Sequence, residues 1–431
     1  MKIDLRRHFS TLFTYLFFGF IILGHYTIWL RADIFSSRTV TILAFGFAIC
    51  IILLNTPKIL QLFVSEILYI VLIIAGFSFY ILFHSSTFSS VAFDFLLPAI
   101  LFSLLGIMIR RQSLHYAFWK CFVNLVCVIA AVSLFFFFLG SFLGIVHPNG
   151  TITFDWGTVR TCSSYYGLYY EPQKITFLFY TGIRNCGIFC EAPMYNYILC
   201  IAWFIQILYL QDSKIKSFIL MFTIFTTFST TGIVLVVMFY GLQFFSSKRN
   251  KRLLAKIKFL LRPIIMVAAA LIIVWLIRRK QIEGSLSYGI RLDQILACIK
   301  VFFDTKFLGC GYGNRDAIYS VVNTSVLGMS AGIPYLLAFG GIGLGAMFAI
   351  PTINYLVHSI KEKNNSCIIF TIGFLYLNFM TIVVTAPITW LIIGEVFAVY
   401  RLEKEYYYTK NGSKAEYACL EDTKIYQRKL N

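Results

Sequence analysis

Charged residues make up only 13% of this chain, against about a quarter in ordinary soluble domains, and that shortage excludes a water-soluble globular protein. Acidic residues are scarcer still, 19 against 37 basic ones. Proline is rare at 9 in 431 residues, and only 6 histidines are present. None of the six, at 8, 25, 84, 115, 147 and 358, lies between residues 278 and 331. No pair of cysteines or histidines has zinc-ligand spacing, no Gly-Lys-Ser/Thr loop is present, and no glycine run sits between a strand and a helix as a dinucleotide fingerprint requires. Metal centres of the usual kind, P-loop chemistry and Rossmann binding are therefore not signalled.

Apolar residues fill the gap: 59% of the chain is hydrophobic, with 45 phenylalanines. The apolar stretches are too long for the alternating ten-residue strands of a membrane barrel, so the expected class is an all-α polytopic membrane protein. Runs of span length lie near 12–30, 38–55, 66–83, 91–109, 120–146, 193–210, 263–277, 332–355, 367–383 and 386–400. The stretch 217–245 carries Lys214 and Lys216 at one end and Lys248 to Arg262 at the other, with Ser229-Thr230-Thr231-Gly232 at its centre. It reads as two half-helices that enter and return, giving twelve segments and both termini inside. Lys2, Arg6 and Arg7 precede the first run with no cleavage site after Leu30, which predicts an uncleaved first span. One transmembrane domain over 1–400 and a polar cytoplasmic tail over 401–431 follow. Asp94 and Glu395, near the ends of their spans, are expected to be structural.

The net charge of +18 is first a topology signal, since basic residues gather on the cytoplasmic side. Nucleic acid is disfavoured because no soluble basic face exists. One outer segment breaks the rule, holding Arg278, Arg279, Lys280, Arg291, Lys300, Lys306 and Arg315. Two long outer loops, 147–192 and 278–331, are thus where a site would be built, on the side away from the cytoplasm.

The first loop contains Tyr165, Tyr166, Tyr169, Tyr170 and Trp156, suited to stacking on sugar rings or lying in the headgroup layer. Cys162, Cys186 and Cys190 share it, and a disulfide among them is geometrically open. It ends in Arg184-Asn-Cys-Gly187-Ile-Phe-Cys-Glu191-Ala-Pro193. Seven residues at helical spacing predict Arg184 and Glu191 on one face, as a phosphate clamp with its carboxylate or as a structural ion pair. In the second loop, apolar residues at 292, 295, 296, 299, 302 and 303 predict an amphipathic helix lying on the membrane, with Arg291 in its first turn on the polar side. Gly309-Cys-Gly311-Tyr-Gly313-Asn314 follows, either a tight turn or an anion nest of backbone amides.

The order Arg-x-x-Gly-x-x-x-Glu-x-Pro before a span, a Ser-Thr-Thr-Gly turn between short segments, Arg291 ahead of Gly-x-Gly-x-Gly-Asn, and Asn323 to Gly332 leading into the next span resembles the O-antigen polymerase and ligase superfamily over about residues 150–350. The resemblance implies an inverting glycosyltransferase of the bacterial inner (plasma) membrane, acting at the periplasmic or exterior face without cofactor, nucleotide sugar or metal. Its substrates would be undecaprenyl-pyrophosphate-linked oligosaccharides taken from the bilayer, and a chain-length regulator protein belongs to the pathway so implied. Arg184 and Arg291 match the family's phosphate-holding arginines, and Glu191 is the first candidate for a base or an orienting group, with Asp155 and Asp293 as alternatives. Arg160, Lys300, Lys306, Gly311, Gly313, Asn314, Arg315, Asn323, Tyr169 and Tyr170 are the expected substrate contacts. Ligases of this superfamily carry a histidine in the second loop, and its absence here favours a polymerase. A lipid-linked sugar flippase remains the alternative of another class, but no internal repeat supports it.

Overall fold

The computed structural model of the chain describes residues 5–55, 67–112, 114–177, 180–246, 278, 285–323, 330–383 and 386–396. The described part is mostly helical. Its helices are α1 (Leu5–Leu23), α2 (Ile28–Arg31), α3 (Ser37–Asn55), α4 (Ile67–Phe83), α5 (Ser85–Arg110), α6 (His115–Phe142), α7 (Ala192–Leu210), α8 (Lys214–Thr226), α9 (Thr230–Ser246), α10 (Ser285–Asp304), α11 (Arg315–Tyr319), α12 (Gly332–Lys361), α13 (Asn365–Met380) and α14 (Pro387–Val396).

Five of them, α3, α5, α6, α7 and α12, are long and apolar enough to cross a bilayer; this is a helical membrane protein, but not one with twelve full spans among the described residues. Shorter apolar stretches lie in α1, α4, α9, α13 and α14. The expected span 263–277 and the tail 401–431 lie outside the described residues. Large apolar side chains face outward all along the bundle, among them Ile42, Leu53, Leu82, Val128 and Ile353. In water such a surface would drive aggregation; in hydrocarbon it costs nothing. The interior is packed with rings, including Phe17, Phe18, Phe95, Phe102, Trp203 and Trp390. Glu395 accepts a hydrogen bond from the Trp119 indole, in keeping with a structural role.

The 217–245 stretch breaks where the tetrad predicts. Helices α8 and α9 meet at Thr227–Ser229 and run side by side in opposite directions, since the Tyr240 hydroxyl reaches Met221 Sδ at 3.4 Å. Gly232, in the first turn of α9, lets that helix close on α7: a Cβ there would stand 2.0 Å from the Asn196 side chain.

The all-α expectation fails in the first long loop. Strands β1 (Gly150–Asp155), β2 (Val159–Tyr165) and β3 (Tyr169–Tyr170) form an antiparallel meander, and β4 (Lys174–Phe177) pairs with β5 (Tyr180–Ile183) as a separate hairpin. Thr-Ile-Thr-Phe and Val-Arg-Thr-Cys are β-branched alternations about an Asp-Trp-Gly turn, a strand signal that the surrounding helical hydropathy hides. Phe154 and Cys162 point inward onto Ile28, Tyr170 and Cys190, which seats the sheet on α2 and on the end of the loop.

Helix α12 is broken at Gly341, whose φ of 57° and ψ of −155° lie outside helical space. The backbone groups freed there are taken up by the segment after α10. Cys310 N donates to Ala338 O at 2.8 Å, Gly311 N to Phe339 O at 3.1 Å, and Ile342 N to Phe307 O at 2.9 Å. A broken helix is tolerated in a membrane protein when its loose backbone is paired inside the protein, and this one is.

Candidate functional site

The loop 184–191 joins the β4–β5 hairpin to α7 and is irregular, not helical. Gly187 takes a φ of 56°, and Phe189 bridges to Thr27. Helical spacing therefore does not bring Arg184 to Glu191; the chain's tertiary course does. Arg184 Nε donates to Thr227 O at 2.9 Å and an Nη to Phe228 O at 3.4 Å. These are orphan carbonyls at the C-terminus of α8, where the helix dipole also favours a cation. Asn185 completes the plug, with its backbone N–H on Thr226 O and its side chain on Thr226 and Ser133. A guanidinium has five N–H donors, so Arg184 keeps further donors after anchoring this turn.

Glu191 stands at the N-cap of α7, yet its side chain makes no capping bond. It pairs instead with Arg160 of β2, Nη1 to Oε1 at 3.7 Å. Burial lowers the Arg184 pKa from its ordinary value, Glu191 pulls it back, and Arg291 pushes it further down. Burial likewise lowers Arg291, with Glu191 and Tyr376 of α13 acting against it. Arg160 is within ion-pair distance of Glu191, and the same carboxylate acts electrostatically on Arg184 and Arg291, so three cations outnumber one anion in a partly desolvated place. An anion arriving there relieves the penalty on both buried guanidiniums.

Arg291 reaches this cluster because of the face it occupies on α10. It lies three and seven residues before Gln294 and Cys298, both buried, and Ala297, Cys298 and Val301 of the same side pack on Ala338 and Phe339 of α12. Leu292, Leu296, Ile299 and Phe303, the predicted membrane-facing residues, are exposed on the other side.

Several expected contacts have other work. The amides of Gly309, Cys310, Gly311 and Tyr312 are spent on Thr305, Ala338, Phe339 and Tyr80. The glycine run is a clasp on the α12 break and not an anion nest, and Gly311 is buried. Gly313 carries the Arg315 N–H on its carbonyl. Asn314 caps α11, accepting from Ala317 N at 3.4 Å and donating to Cys310 O at 3.0 Å. Asn323 clasps Asp293 through its backbone N–H at 2.8 Å and its side chain at 2.9 Å, which also removes Asp293 as a free base. Tyr169 and Tyr170 are 0% and 1% exposed, so neither can stack on a sugar; Tyr166 is the exposed ring of that group. Lys300 and Lys306 are exposed on α10 and just beyond it, with no described link to the arginine cluster. Asp155 is exposed at the tip of β1. Cys162, Cys186 and Cys190 are free thiols, and burial pushes Cys186 up to about 12 and Cys162 up to about 11, which keeps both protonated.

Three groups escaped sequence reasoning. Arg31 lies over the rings of Tyr26 and Trp156, 5.4 Å from each centroid, and its only sequence mark was its place at the end of a span. Tyr26 is also an electrostatic neighbour of Arg315, as is Tyr335, so basic groups extend beyond the Glu191 surroundings. His84, from the end of α4, places Nε2 3.3 Å from Leu308 O and its ring beside Gly311. Glu171 had a sequence signal, being one of three carboxylates in the loop 147–192 with Asp155 and Glu191.

No protein-family model, characterised protein or solved structure matches the chain.

Proposed function

We propose that the chain is an inverting lipid-linked glycosyltransferase that polymerises oligosaccharide repeat units of a surface polysaccharide, working on the outer face of a bacterial inner membrane. The observation that supports this most is the Arg160–Glu191 ion pair with Arg184 and Arg291 in the electrostatic neighbourhood of the same carboxylate, in a membrane-embedded bundle. In this reading the growing glycan enters on undecaprenyl pyrophosphate from the bilayer, and its pyrophosphate rests between Arg184 and Arg291. A hydroxyl of the incoming repeat unit attacks the anomeric carbon from the opposite side. The bond to the pyrophosphate oxygen breaks, its electron pair stays on that oxygen, and the two guanidiniums stabilise the charge that develops there. Glu191 holds the arginines apart and oriented while the site is empty.

The test is to incubate the purified protein in vesicles with synthetic undecaprenyl-pyrophosphate repeat units and look for a ladder of products. Arg291→Ala is expected to cost about 100-fold or more in rate, the usual range for losing an electrostatic stabiliser of a developing anion. Full laddering by both Arg184→Ala and Arg291→Ala would sink the assignment.

One observation favours the ligase alternative. The second loop lacks a histidine in sequence, but His84 sits against it beside Gly311. If the protein transfers preformed polymer to a lipid A core acceptor in a His84-dependent reaction and builds no ladder, it is a ligase.

A further inference from the structure

We infer that Glu171, and not Glu191, is the general base that takes the proton from the attacking hydroxyl; this rests on the glycosyl-transfer reading above. An inverting displacement needs the leaving group and the base on opposite faces of the sugar ring, far enough apart to hold the acceptor between them. Glu191 stands among the leaving-group arginines. A proton placed on it would also discharge the carboxylate that holds them.

Glu171 lies beside that cluster without belonging to it. The strand that carries it is laid along the 184–191 loop: Tyr170 N donates to Gly187 O at 3.0 Å, and Arg184 N donates to Gln173 O at 3.0 Å. The Gln173 side chain then accepts from Ala192 N, next to Glu191, at 3.1 Å. Cys186 Sγ lies 3.9 Å from Gln173 Oε1, a contact between the same two segments. Glu171 itself has no cation within ion-pair distance among the described residues, whereas Glu191 has Arg160.

The carboxylate is also built into position. Its Oε1 accepts from the Ser141 hydroxyl at 2.7 Å and from the Tyr165 hydroxyl at 2.9 Å, and Ser141 also meets the Tyr169 hydroxyl at 3.0 Å. Oε2 has no hydrogen-bond partner among the described residues, and Glu171 is only half-buried, so a lone pair faces the open side. Ser141 gets there through a π-helical turn, Phe137–Phe142, at the end of α6. Such turns re-aim side chains and recur at functional sites. Gly140 in the same turn admits the Tyr165 ring, since a Cβ would stand 2.7 Å from it. Two donors on one oxygen fix the carboxylate plane and leave the other oxygen for the substrate, the geometry a base requires.

The step balances. The acceptor O–H proton moves to Glu171 Oε2, the oxygen bonds to the anomeric carbon, and the pyrophosphate departs with the electron pair of the broken bond. Solvent then takes the proton from Glu171.

The experiment compares Glu171→Gln with the wild type in the vesicle assay and adds azide, an anionic nucleophile with no proton to lose. Glu171→Gln is expected to lower kcat by about 100-fold or more with KM for the donor unchanged. Azide should restore donor cleavage and yield a glycosyl azide, and Glu171→Asp should recover part of the rate. A Glu171→Gln enzyme that ladders at the wild-type rate overturns this assignment alone. So does one whose loss azide leaves unrepaired while KM rises and thermal stability falls, the pattern of a purely structural carboxylate. A wild-type protein that makes no product overturns the glycosyl-transfer reading and this assignment with it.

Discussion

The two central arginines look alike in sequence and differ in what holds them. Arg184 is spent in part on the carbonyls of Thr227 and Phe228, whereas Arg291 makes no hydrogen bond to the protein among the described residues. Arg184→Ala should therefore cost stability as well as activity, about 1–3 kcal/mol for the lost charged hydrogen bond to the Thr227 carbonyl. Arg291→Ala should remove activity while changing stability by less than about 0.5 kcal/mol. Thermal unfolding of the two variants in detergent, followed by tryptophan fluorescence, checks this; equal losses would show that Arg291 is also a fold anchor. Both arginines were legible in the chain, because a charge set in apolar sequence needs a reason. Their neighbours were not: nothing in Tyr165-Tyr-Gly-Leu-Tyr169-Tyr170 says which rings are buried, and the sheet buries the two that sugar stacking would need exposed.

At the scale of elements, the turn 307–311 fits closely against the break in α12. A Cβ on Gly341 would fall 2.3 Å from the Leu308 carbonyl carbon, and the residue's positive φ penalises any side chain besides. Gly341→Ala is expected to destabilise the protein by roughly 2 kcal/mol or more and to free the turn that follows α10. Gly46→Ala is the matched control: Gly46 lies in α3 with open space where a Cβ would go, and there alanine should be neutral or mildly stabilising. Thermal midpoints of the pair measure the difference, and similar values would mean that the break is not fixed by contact. The hairpin of α8 and α9 was readable because Ser-Thr-Thr-Gly interrupts a run flanked by lysines. The strands of the first loop were missed because hydropathy averaged over a helical window flattens a period-two pattern of six residues.

For the molecule as a whole, α7 sets the separation of its two ends, since its 19 residues span roughly 28 Å. Cysteines introduced at Thr153, exposed on β1, and at Gln211, exposed beyond the far end of α7, should react with a membrane-impermeant maleimide from opposite sides of the membrane. Same-side labelling would refute the crossing by α7. By itself the sequence determined that the chain is helical and lives in a membrane, that its unusual charges sit at the edges of spans, and that one long apolar stretch folds back on itself. Those are properties of residues taken singly or in short windows, and they add along the chain. Only the tertiary structure decided that Arg160 pairs with Glu191, that the glycine run closes a broken helix, and that Asn323 serves Asp293. Each of these depends on partners tens of residues apart in sequence, and packing alone selects which distant backbone and side-chain groups come within hydrogen-bonding reach.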